Sequence, residues 1–461
     1  GVAIPGLPQS LDRNDFLCIR RLGKGRRNET GMQTLLGATR DRFLLALQYQ
    51  DYRNLWIATT CSASAAWALI IVRGWLAYEI TGGALWVGIV TFAAMFPRVI
   101  STPLAGFLAD KFDRKTLIQW VYALNFAHNV FLSILVMNGL ANPWILMFLA
   151  LFNGTLRSSQ MTFSTALVPN LVPKEYLLNA IALNQATQQG ARMVGALAIL
   201  PLVALVNLDT AFWLCSGFYL IAFVQTRRVT TQSTGVMDSR NSFFRNLFQG
   251  FGYVYGRPTI LAMVLLVLAH CALTMSYESI LPSLSQEKLG QGSIGITYLI
   301  GGVGAGALAS SIFMAGVRSN VTRGKLFLIF GFASGIGPIL LAMSSDSTLS
   351  VLCAVFIGMN QAGFMTITHT IIQSMVDDSV RGRVAGVYSV HVGGSMAVTN
   401  MVNAAFTDIF GASPVLIVGG LAFIFAMFLG LSSPPLRQLF FFRADPASPT
   451  EANTETSRSN A

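Results

Sequence analysis

Apolar residues occur in long runs along this chain, and short polar intervals separate the runs. A bilayer core of about 30 Å needs roughly 20 mainly apolar residues per helix, and each run is about that long. The pattern therefore predicts an all-α membrane protein with twelve transmembrane helices. The predicted helix centres are Ala66, Met95, Val130, Leu151, Ala191, Leu220, Leu268, Gly304, Phe332, Val355, Val392 and Phe425.

A polar interval at residues 227–257 divides the predicted helices into two sets of six. A faint internal repeat supports this division, because Phe152 and Gly154 recur 204 positions later as Phe356 and Gly358. We expect an N-terminal cytoplasmic tail with an amphipathic helix, two six-helix bundles joined by a cytoplasmic linker, and a disordered C-terminal tail. In chain order, these parts are residues 1–50, 51–226, 227–257, 258–434 and 435–461.

The loops between the predicted helices alternate between basic and nearly uncharged ones. The even-numbered loops hold 14 Lys and Arg, whereas the odd-numbered loops hold only Lys288. Because retained Lys and Arg mark the cytoplasmic side, we expect the even loops and both termini to face the cytoplasm. The N-terminal segment has no apolar core followed by a small-residue cleavage site, so no signal peptide is expected.

Composition excludes a soluble globular protein. The chain is 53% hydrophobic and only 11% charged, whereas a soluble domain is about 25% charged. We attribute the net charge of +11 to orientation and to contact with anionic membrane lipids rather than to nucleic acid, because most cations flank apolar runs. The five cysteines lack metal-site spacing. No Walker phosphate loop or hydrolase motif is present, so we expect no cofactor, no metal and no enzyme activity.

The most specific motif lies in the turn between the second and third predicted helices. A glycine there lets a neighbouring helix approach closely. An aspartate can accept hydrogen bonds from a helix N-terminus and pair with a cation. These properties predict a cytoplasmic gate that closes in one conformation and opens in another. The gate residues are Gly106, Asp110, Lys111, Arg114 and Lys115.

This motif resembles the signature of the major facilitator superfamily, although Asp113 stands where that family usually has a second glycine. Residues 75–88, 167–175 and 381–388 are similar to the branch with the enterobactin exporter and macrolide efflux pumps. The resemblance implies two pseudo-symmetric six-helix bundles in a bacterial inner (plasma) membrane. It also implies proton-driven efflux of small, often amphipathic molecules.

The direction of transport has weaker support than the fold. Antiporters of this superfamily often carry a Gly-Pro pair in the fifth helix, and residues 189–201 lack that pair.

Four arginines lie inside apolar runs, where a charge is costly unless it faces protein or water. Arg98, Arg157 and Arg192 lie near the middle of their predicted helices. We expect these three to line a central cavity and to favour an anionic or carboxylate-bearing substrate. The alternative is that each guanidinium binds backbone carbonyls in a structural role. Arg73 lies closer to the outer end, where it is expected to extend towards the membrane surface.

Glu278 is the clearest acidic residue inside an apolar run, so it is a candidate for proton coupling. The histidines His128 and His369 are further candidates, because histidine titrates near neutral pH. The alternative for Glu278 is a solvated position at a helix end. The alternative for His128 and His369, and equally for His270 and His391, is an ordinary packing role.

The sequence therefore predicts a secondary transporter that exports small amphipathic molecules, drug-like or siderophore-like, by proton antiport. Its partners would be the substrate, protons and membrane lipids. Two alternatives stay open. One is an importer or lipid flippase with the same fold. The other is a non-transporting subunit that serves a partner in a larger membrane complex.

Overall fold

The computed structural model describes residues 45–233, 243–315, 320–377 and 380–433. Within these ranges the chain is helical and contains no strand. The predicted amphipathic helix before residue 45 and the predicted tail after residue 433 lie outside the described residues.

The N-terminal set of helices, α1 to α7, begins and ends at residues that the sequence marks clearly. Helix α1 ends where Gly82 adopts a left-handed φ of 70°. Helix α5 begins with Pro143 after Asn142, whose side chain accepts a hydrogen bond from the Ile145 N–H. The set comprises α1 (Gln50–Thr81), α2 (Ala84–Met95), α3 (Arg98–Lys111), α4 (Arg114–Met137), α5 (Pro143–Leu167), α6 (Lys174–Leu205) and α7 (Leu208–Arg227).

The C-terminal set, α8 to α15, is less regular. Its second long helix is interrupted, because two π-helical turns, Cys271–Met275 and Ser285–Leu289, flank the short α10. The set comprises α8 (Phe243–Tyr255), α9 (Pro258–His270), α10 (Leu281–Leu284), α11 (Gly292–Ala315), α12 (Asn320–Met343), α13 (Ser347–Ser374), α14 (Arg381–Phe410) and α15 (Ala412–Ser432).

Helix α8 lies inside the interval that the sequence predicted to be only a linker. Aromatic residues recur in it at helical spacing, which is typical of an amphipathic helix. Phe251 and Tyr255 of α8 pack against the ring of His391 in α14. The segment therefore belongs to the C-terminal helices.

Each of the twelve predicted helix centres lies in a helix, with α2 and α3 together forming the second. Among the described residues, ten helices are long and apolar enough to cross a membrane. Helices α5 and α14, which correspond to the fourth and eleventh predicted crossings, are not among the ten. The membrane character is thus confirmed, whereas twelve crossings in two six-helix bundles stay a prediction.

Burial also indicates lipid as the solvent of the outer surface. The most apolar of the ten candidate spans, Ala412–Ser432, is only 22% buried. Large apolar side chains such as Trp120, Trp144 and Phe148 are more than 60% exposed. A soluble protein rarely exposes apolar surface on this scale, whereas a membrane protein presents it to acyl chains.

Helix ends fall into two groups that we name by their loops. The basic end has the loops with Lys111, Arg114, Lys174, Arg227 and Arg257, and the non-basic end has the loops with Glu79, Asp209 and Asp346.

The two sets of helices share apolar packing at the non-basic end. One cluster of buried residues extends from the N-terminal set into residues 277–303, 341–357 and 412–416 of the C-terminal set. A second cluster, between residues 254 and 427, contains C-terminal residues alone. The sets therefore pack together at one end of the molecule.

The repeated glycines make equivalent contacts in the two sets. Gly154 of α5 lies against the backbone of Ala94 in α2, and Gly358 of α13 lies against the backbone of Val303 in α11. A Cβ atom at either glycine would overlap a carbonyl oxygen. Both glycines permit close helix packing, which fits the predicted repeat.

Glycines in α11 also permit close helix packing. Gly304 lies against the backbone N of Met193 in α6, and Gly306 lies against the carbonyl of Val355 in α13. Gly386 of α14 is different, because an added Cβ there would meet no atom within 4 Å.

Candidate functional site

Two predicted cavity arginines meet at one aromatic ring. The Arg192 guanidinium, from α6, lies 3.9 Å from the ring centroid of Trp67 in α1. The Arg157 guanidinium, from α5, lies 5.4 Å from the same ring. Since a cation is attracted to the face of an indole, Trp67 holds two like charges near one another. Sequence reasoning missed Trp67, because a lone aromatic residue in an apolar run carries no signal.

Arg192 also forms an ion pair that joins the two sets of helices. Its Nη2 lies 3.0 Å from Oε1 of Glu278, and the two side chains are only 12% and 1% exposed. The attraction is strong in this poorly hydrated site. Arg192 Nε and Glu278 Oε2 are buried without a hydrogen-bond partner, so the guanidinium can donate to a further ligand and the carboxylate can accept a proton.

Glu278 lies in the interruption between α9 and α10, where the backbone needs partners from other helices. The Gln361 amide donates to the carbonyl of Thr274 at 2.6 Å, and the Asn403 amide donates to the carbonyl of Ser276 at 2.7 Å. Such interruptions are tolerated at membrane depth where neighbouring side chains satisfy the backbone. Helices α13 and α14 thereby fix the position of Glu278.

Arg98 lies at the break between α2 and α3, and it faces the C-terminal set. An added Cβ at Gly393 in α14 would lie 3.2 Å from Cδ of Arg98. Arg98 is also within electrostatic range of Arg157. All three predicted cavity arginines thus lie along the surface where the two sets meet.

Arg73 does not extend towards the membrane surface, so that expectation is wrong. The residue is only 4% exposed and lies inside the N-terminal helices. Its Nη1 is buried without a hydrogen-bond partner.

The histidines occupy dissimilar surroundings. His128 Nε2 bonds the carbonyl of Leu149 at 3.0 Å, and its ring lies beside Phe152. The exposed His369 has its ring centroid 5.2 Å from that of Tyr388. Neither contact involves a carboxylate or one of the cavity arginines. Among the described residues, no group of three His, Cys, Asp or Glu is placed to hold a metal ion.

The gate residues at the basic end are connected within the N-terminal set. The Arg114 guanidinium donates to the carbonyl of Ala166 at 2.8 Å and to that of Ala109 at 3.1 Å. Its Nη2 lies 3.6 Å from Oδ1 of Asp110. Lys111 is exposed, with its Nζ 5.5 Å from the Phe112 ring centroid.

Of the contacts expected at the gate, the pairing of Asp110 with a cation is formed, but the close helix approach at Gly106 is not formed in this conformation. An added Cβ at Gly106 would meet no atom within 4 Å, so no helix approaches there closely. Among the described residues, the only cation paired with Asp110 is Arg114 of its own set. Lys115 is half-buried and makes no ion pair in the described part of the chain.

Asp113, the departure from the superfamily signature, has two structural roles. Its Oδ2 accepts the N–H of Thr116 at 2.9 Å, which caps α4, and its Oδ1 accepts the N–H of Ser233 at 2.9 Å. Burial alone would raise the pKa of Asp113, but these hydrogen bonds and those from the Thr116 hydroxyl and Lys115 backbone outweigh it. The pKa therefore lies below its ordinary value.

A latch between the two sets is present at the non-basic end, where sequence reasoning did not find one. The carboxylate of Asp408 in α14 accepts the N–H of Ala84 at 2.6 Å and that of Leu85 at 2.9 Å. It thus caps α2 from the opposite set. Nearby, Gly88 of α2 lies against Ala404 of α14, with room for no side chain.

Comparison with known proteins identifies the family of this chain. The sequence matches the transmembrane secretion effector family over residues 44–444. The multidrug efflux pump Tap of Mycobacterium tuberculosis is 22% identical over 393 residues, which are 83% of this chain and 93% of Tap. The enterobactin exporter EntS of Salmonella choleraesuis is 23% identical over 317 residues, which are 68% of this chain and 72% of EntS.

The fold has relatives among solved structures. The nucleoside transporter NupG superposes with a TM-score of 0.66 at 11% identity, over 83% of this chain and 98% of NupG. The predicted family is therefore confirmed over most of the chain. This integral membrane protein belongs to the transmembrane secretion effector family of the major facilitator superfamily, whose members are transporters and not enzymes.

Proposed function

We propose that this transporter exports small amphipathic molecules by alternating access, with twelve helices in two six-helix bundles (residues 51–226 and 258–434) and proton antiport as the energy source. The observation that carries the proposal is the buried Arg192–Glu278 ion pair, because it joins the two sets beside an aromatic ring. The efflux pump Tap and the enterobactin exporter EntS are relatives that support export.

The conformation supports alternating access. The sets are joined at the non-basic end by Asp408 and by the contact of Gly88 with Ala404. At the basic end, Gly106 and Gly386 have no neighbour within 4 Å of an added Cβ. If the basic end faces the cytoplasm, as the loop charges predict, this conformer is open inward and ready to receive a molecule from the cell.

Glu278 is the proposed proton-coupling residue. Its Oε2 is free to accept a proton, while Oε1 is held by Arg192. Protonation would weaken the ion pair and so loosen a contact between the two sets. The proton would thereby change the relative stability of the two conformations, which is the requirement for coupling.

The sign of the coupling depends on the charge of the substrate. A neutral or cationic substrate that uses the ionised carboxylate of Glu278 excludes the proton, and this mutual exclusion gives antiport. An anionic substrate competes with Glu278 for Arg192 instead, so protonation of Glu278 strengthens its binding. Anion and proton then move together.

Proton-coupled import of an anion is therefore a second candidate function. The observation that favours it is the excess of positive charge, since Arg98 and Arg157 face the same region without an acidic partner among the described residues. If Glu278 is the coupling residue, His128 and His369 would have no part in coupling, because neither histidine contacts the Arg192–Glu278 ion pair in the described structure.

Transport by purified protein in liposomes with a trapped pH-sensitive dye separates these functions. With a substrate gradient as the sole driving force, antiport moves protons against the substrate flux, whereas symport moves them with it. Glu278→Gln should abolish the pH change in either case. Glu79→Gln removes an exposed carboxylate and is the matched control. A pH change that persists undiminished in the Glu278 variant would exclude the coupling role.

A further inference from the structure

Arg73 is a buried cation for which the structure shows no counter-ion. It lies in α1, is 4% exposed, and its Nη1 has no hydrogen-bond partner. Among the described residues, no carboxylate forms an ion pair with it. Arginine does not lose its proton in proteins, so this charge cannot be removed by titration.

The groups around Arg73 do not supply the missing negative charge. Tyr219 and Cys215 of α7 and His128 of α4 lie within its electrostatic range, and so does Arg157, which repels it. Tyr219 and Cys215 are fully buried. The Tyr219 hydroxyl lies beside Asn153 without a well-formed hydrogen bond, so its O–H is free to donate elsewhere.

No acidic residue of the N-terminal helices is close to the middle of a helix. The described acidic residues of this set are all in the first or last turn of a helix or in a turn between helices: Asp51, Glu79, Asp110, Asp113, Glu175 and Asp209. Glu278 of the other set is already paired with Arg192. In the part of the chain that the structure describes, no carboxylate is therefore paired with Arg73, and a bound anion would supply the missing negative charge.

We propose that Arg73 and the Tyr219 hydroxyl hold a small monovalent anion inside the N-terminal helices. A guanidinium and a phenolic O–H are both donors, and together they match a halide or a carboxylate. Because Arg73 and Tyr219 are buried, the group that binds between them should be small. A buried unpaired charge is strongly unfavourable, so an anion there would stabilise the folded protein.

The shared chemistry admits two sources, which are free halide and the carboxylate group of a transported molecule. The probes are sodium chloride, sodium bromide and sodium acetate. Sodium gluconate at equal ionic strength is the reference, because its carboxylate carries a hydroxylated chain that is too bulky for a small buried site. Binding to the native state alone raises the melting temperature with increasing ligand concentration. We expect a saturable rise of about 2 °C or more relative to gluconate.

Variants of Arg73 test whether the rise in melting temperature comes from anion binding at this residue. Arg73→Met should abolish the anion-dependent rise in melting temperature. Arg73→Lys keeps the positive charge but loses the planar guanidinium donors, so it should retain the rise at a higher half-saturating concentration. Arg228→Met removes an exposed arginine at the end of α7 and should leave the rise unchanged. If Arg73→Met does not fold, anomalous scattering from bromide in crystals of the unaltered protein provides the second measurement.

The outcomes separate the sources. A rise with chloride and bromide supports a resident halide, and a rise with acetate alone supports a carboxylate subsite. The proposal is overturned if no anion stabilises the protein beyond gluconate, or if Arg73→Met responds as the unaltered protein does. Because the readout is thermal stability, these results do not depend on the direction of transport or on whether Glu278 binds protons.

Discussion

A single carboxylate, Asp113, connects two segments that a glycine would leave apart. Its two oxygens bond the N–H groups of Thr116 and Ser233, which belong to α4 and to the chain beyond α7. The superfamily's usual glycine has no side chain and can do neither. The departure from the signature thus has a structural reason.

We predict that Asp113→Ala lowers the free energy of unfolding by roughly 0.5–2 kcal/mol, the usual cost when alanine replaces an N-cap residue. Asp113→Asn keeps a carbonyl oxygen that can cap α4, so it should cost much less. Thermal unfolding in detergent measures both variants. Equal stability of the alanine variant and the unaltered protein would contradict the capping role.

The pH dependence has a definite sign at this residue. The pKa of Asp113 is lower in the folded state than in the unfolded chain, so its contribution to stability is present above the unfolded pKa, near 4. That contribution is lost as the pH falls through the lowered folded pKa. Asp113→Asn should remove this part of the acid sensitivity.

The ion pair of Arg192 with Glu278 predicts non-additive effects. Arg192→Gln leaves a buried carboxylate unpaired and should lower the free energy of unfolding by about 3–5 kcal/mol. The double variant with Glu278→Gln should lose less than the sum of the two single variants. Thermal unfolding of the four proteins gives the coupling. Simple additivity would mean that the two groups do not interact in the folded state.

The sequence identified both members of this pair but not the pair itself. Each is an ionisable residue in an apolar run, which is sufficient to make it a candidate. Their contact joins positions 86 residues apart, and it depends on how α6 packs against the interrupted helix. The burial of Arg73 was missed for a similar reason, because the position along a helix does not tell which face a side chain takes.

At the scale of helices, α2 and α14 are held together by Asp408 across the non-basic end. The charge of that side chain near the positive N-terminus of α2 contributes about 0.3–1 kcal/mol at an exposed site. Asp408→Asn should therefore shift the ratio of closed to open non-basic ends by roughly two- to five-fold towards the open form.

Spin labels at Glu79 and Ser345, both exposed at the non-basic end, can report this shift as a change in their distance distribution. Asp209→Asn is the control, because Asp209 is at the same end but at the start of its own helix α7. An unchanged distribution in Asp408→Asn would show that the cap does not hold the sets together.

The helices were predictable where apolar runs were long, because every predicted centre lies in a helix. The interruption after α9 was not predictable, since its backbone is satisfied by Gln361 and Asn403 from helices far along the chain. Helix α8 was missed for a different reason. Its aromatic residues recur at helical spacing, but the polar residues between them led us to interpret the whole interval as a linker.

At the scale of the whole molecule, alternating access requires the basic end to close when the non-basic end opens. Asp110 is 55% exposed and paired only within its own set in the described conformation, so it is available for a partner that arrives on closure. We predict that Asp110→Asn slows transport several-fold while expression and melting temperature stay nearly unchanged.

Initial transport rates in liposomes, normalised to the amount of reconstituted protein, measure this effect. Glu175→Gln is a suitable control, because Glu175 is an exposed carboxylate in the first turn of α6. A normal rate in Asp110→Asn would remove Asp110 from the gate, whereas a large fall in expression would indicate a role in folding instead.

Hydrogen bonds from Ser233 to Asp113, and from Thr230 and Thr231 to Asp51, hold the chain after α7 on the N-terminal helices. The chain after α7 stays bound to the N-terminal helices as far as Ser233, so the tether to α8 begins there and ends at Phe243. Ten residue-to-residue steps can reach at most about 35 Å. This length sets an upper limit on how far the basic ends of the two sets can separate, and release of Ser233 from the N-terminal helices would raise that limit.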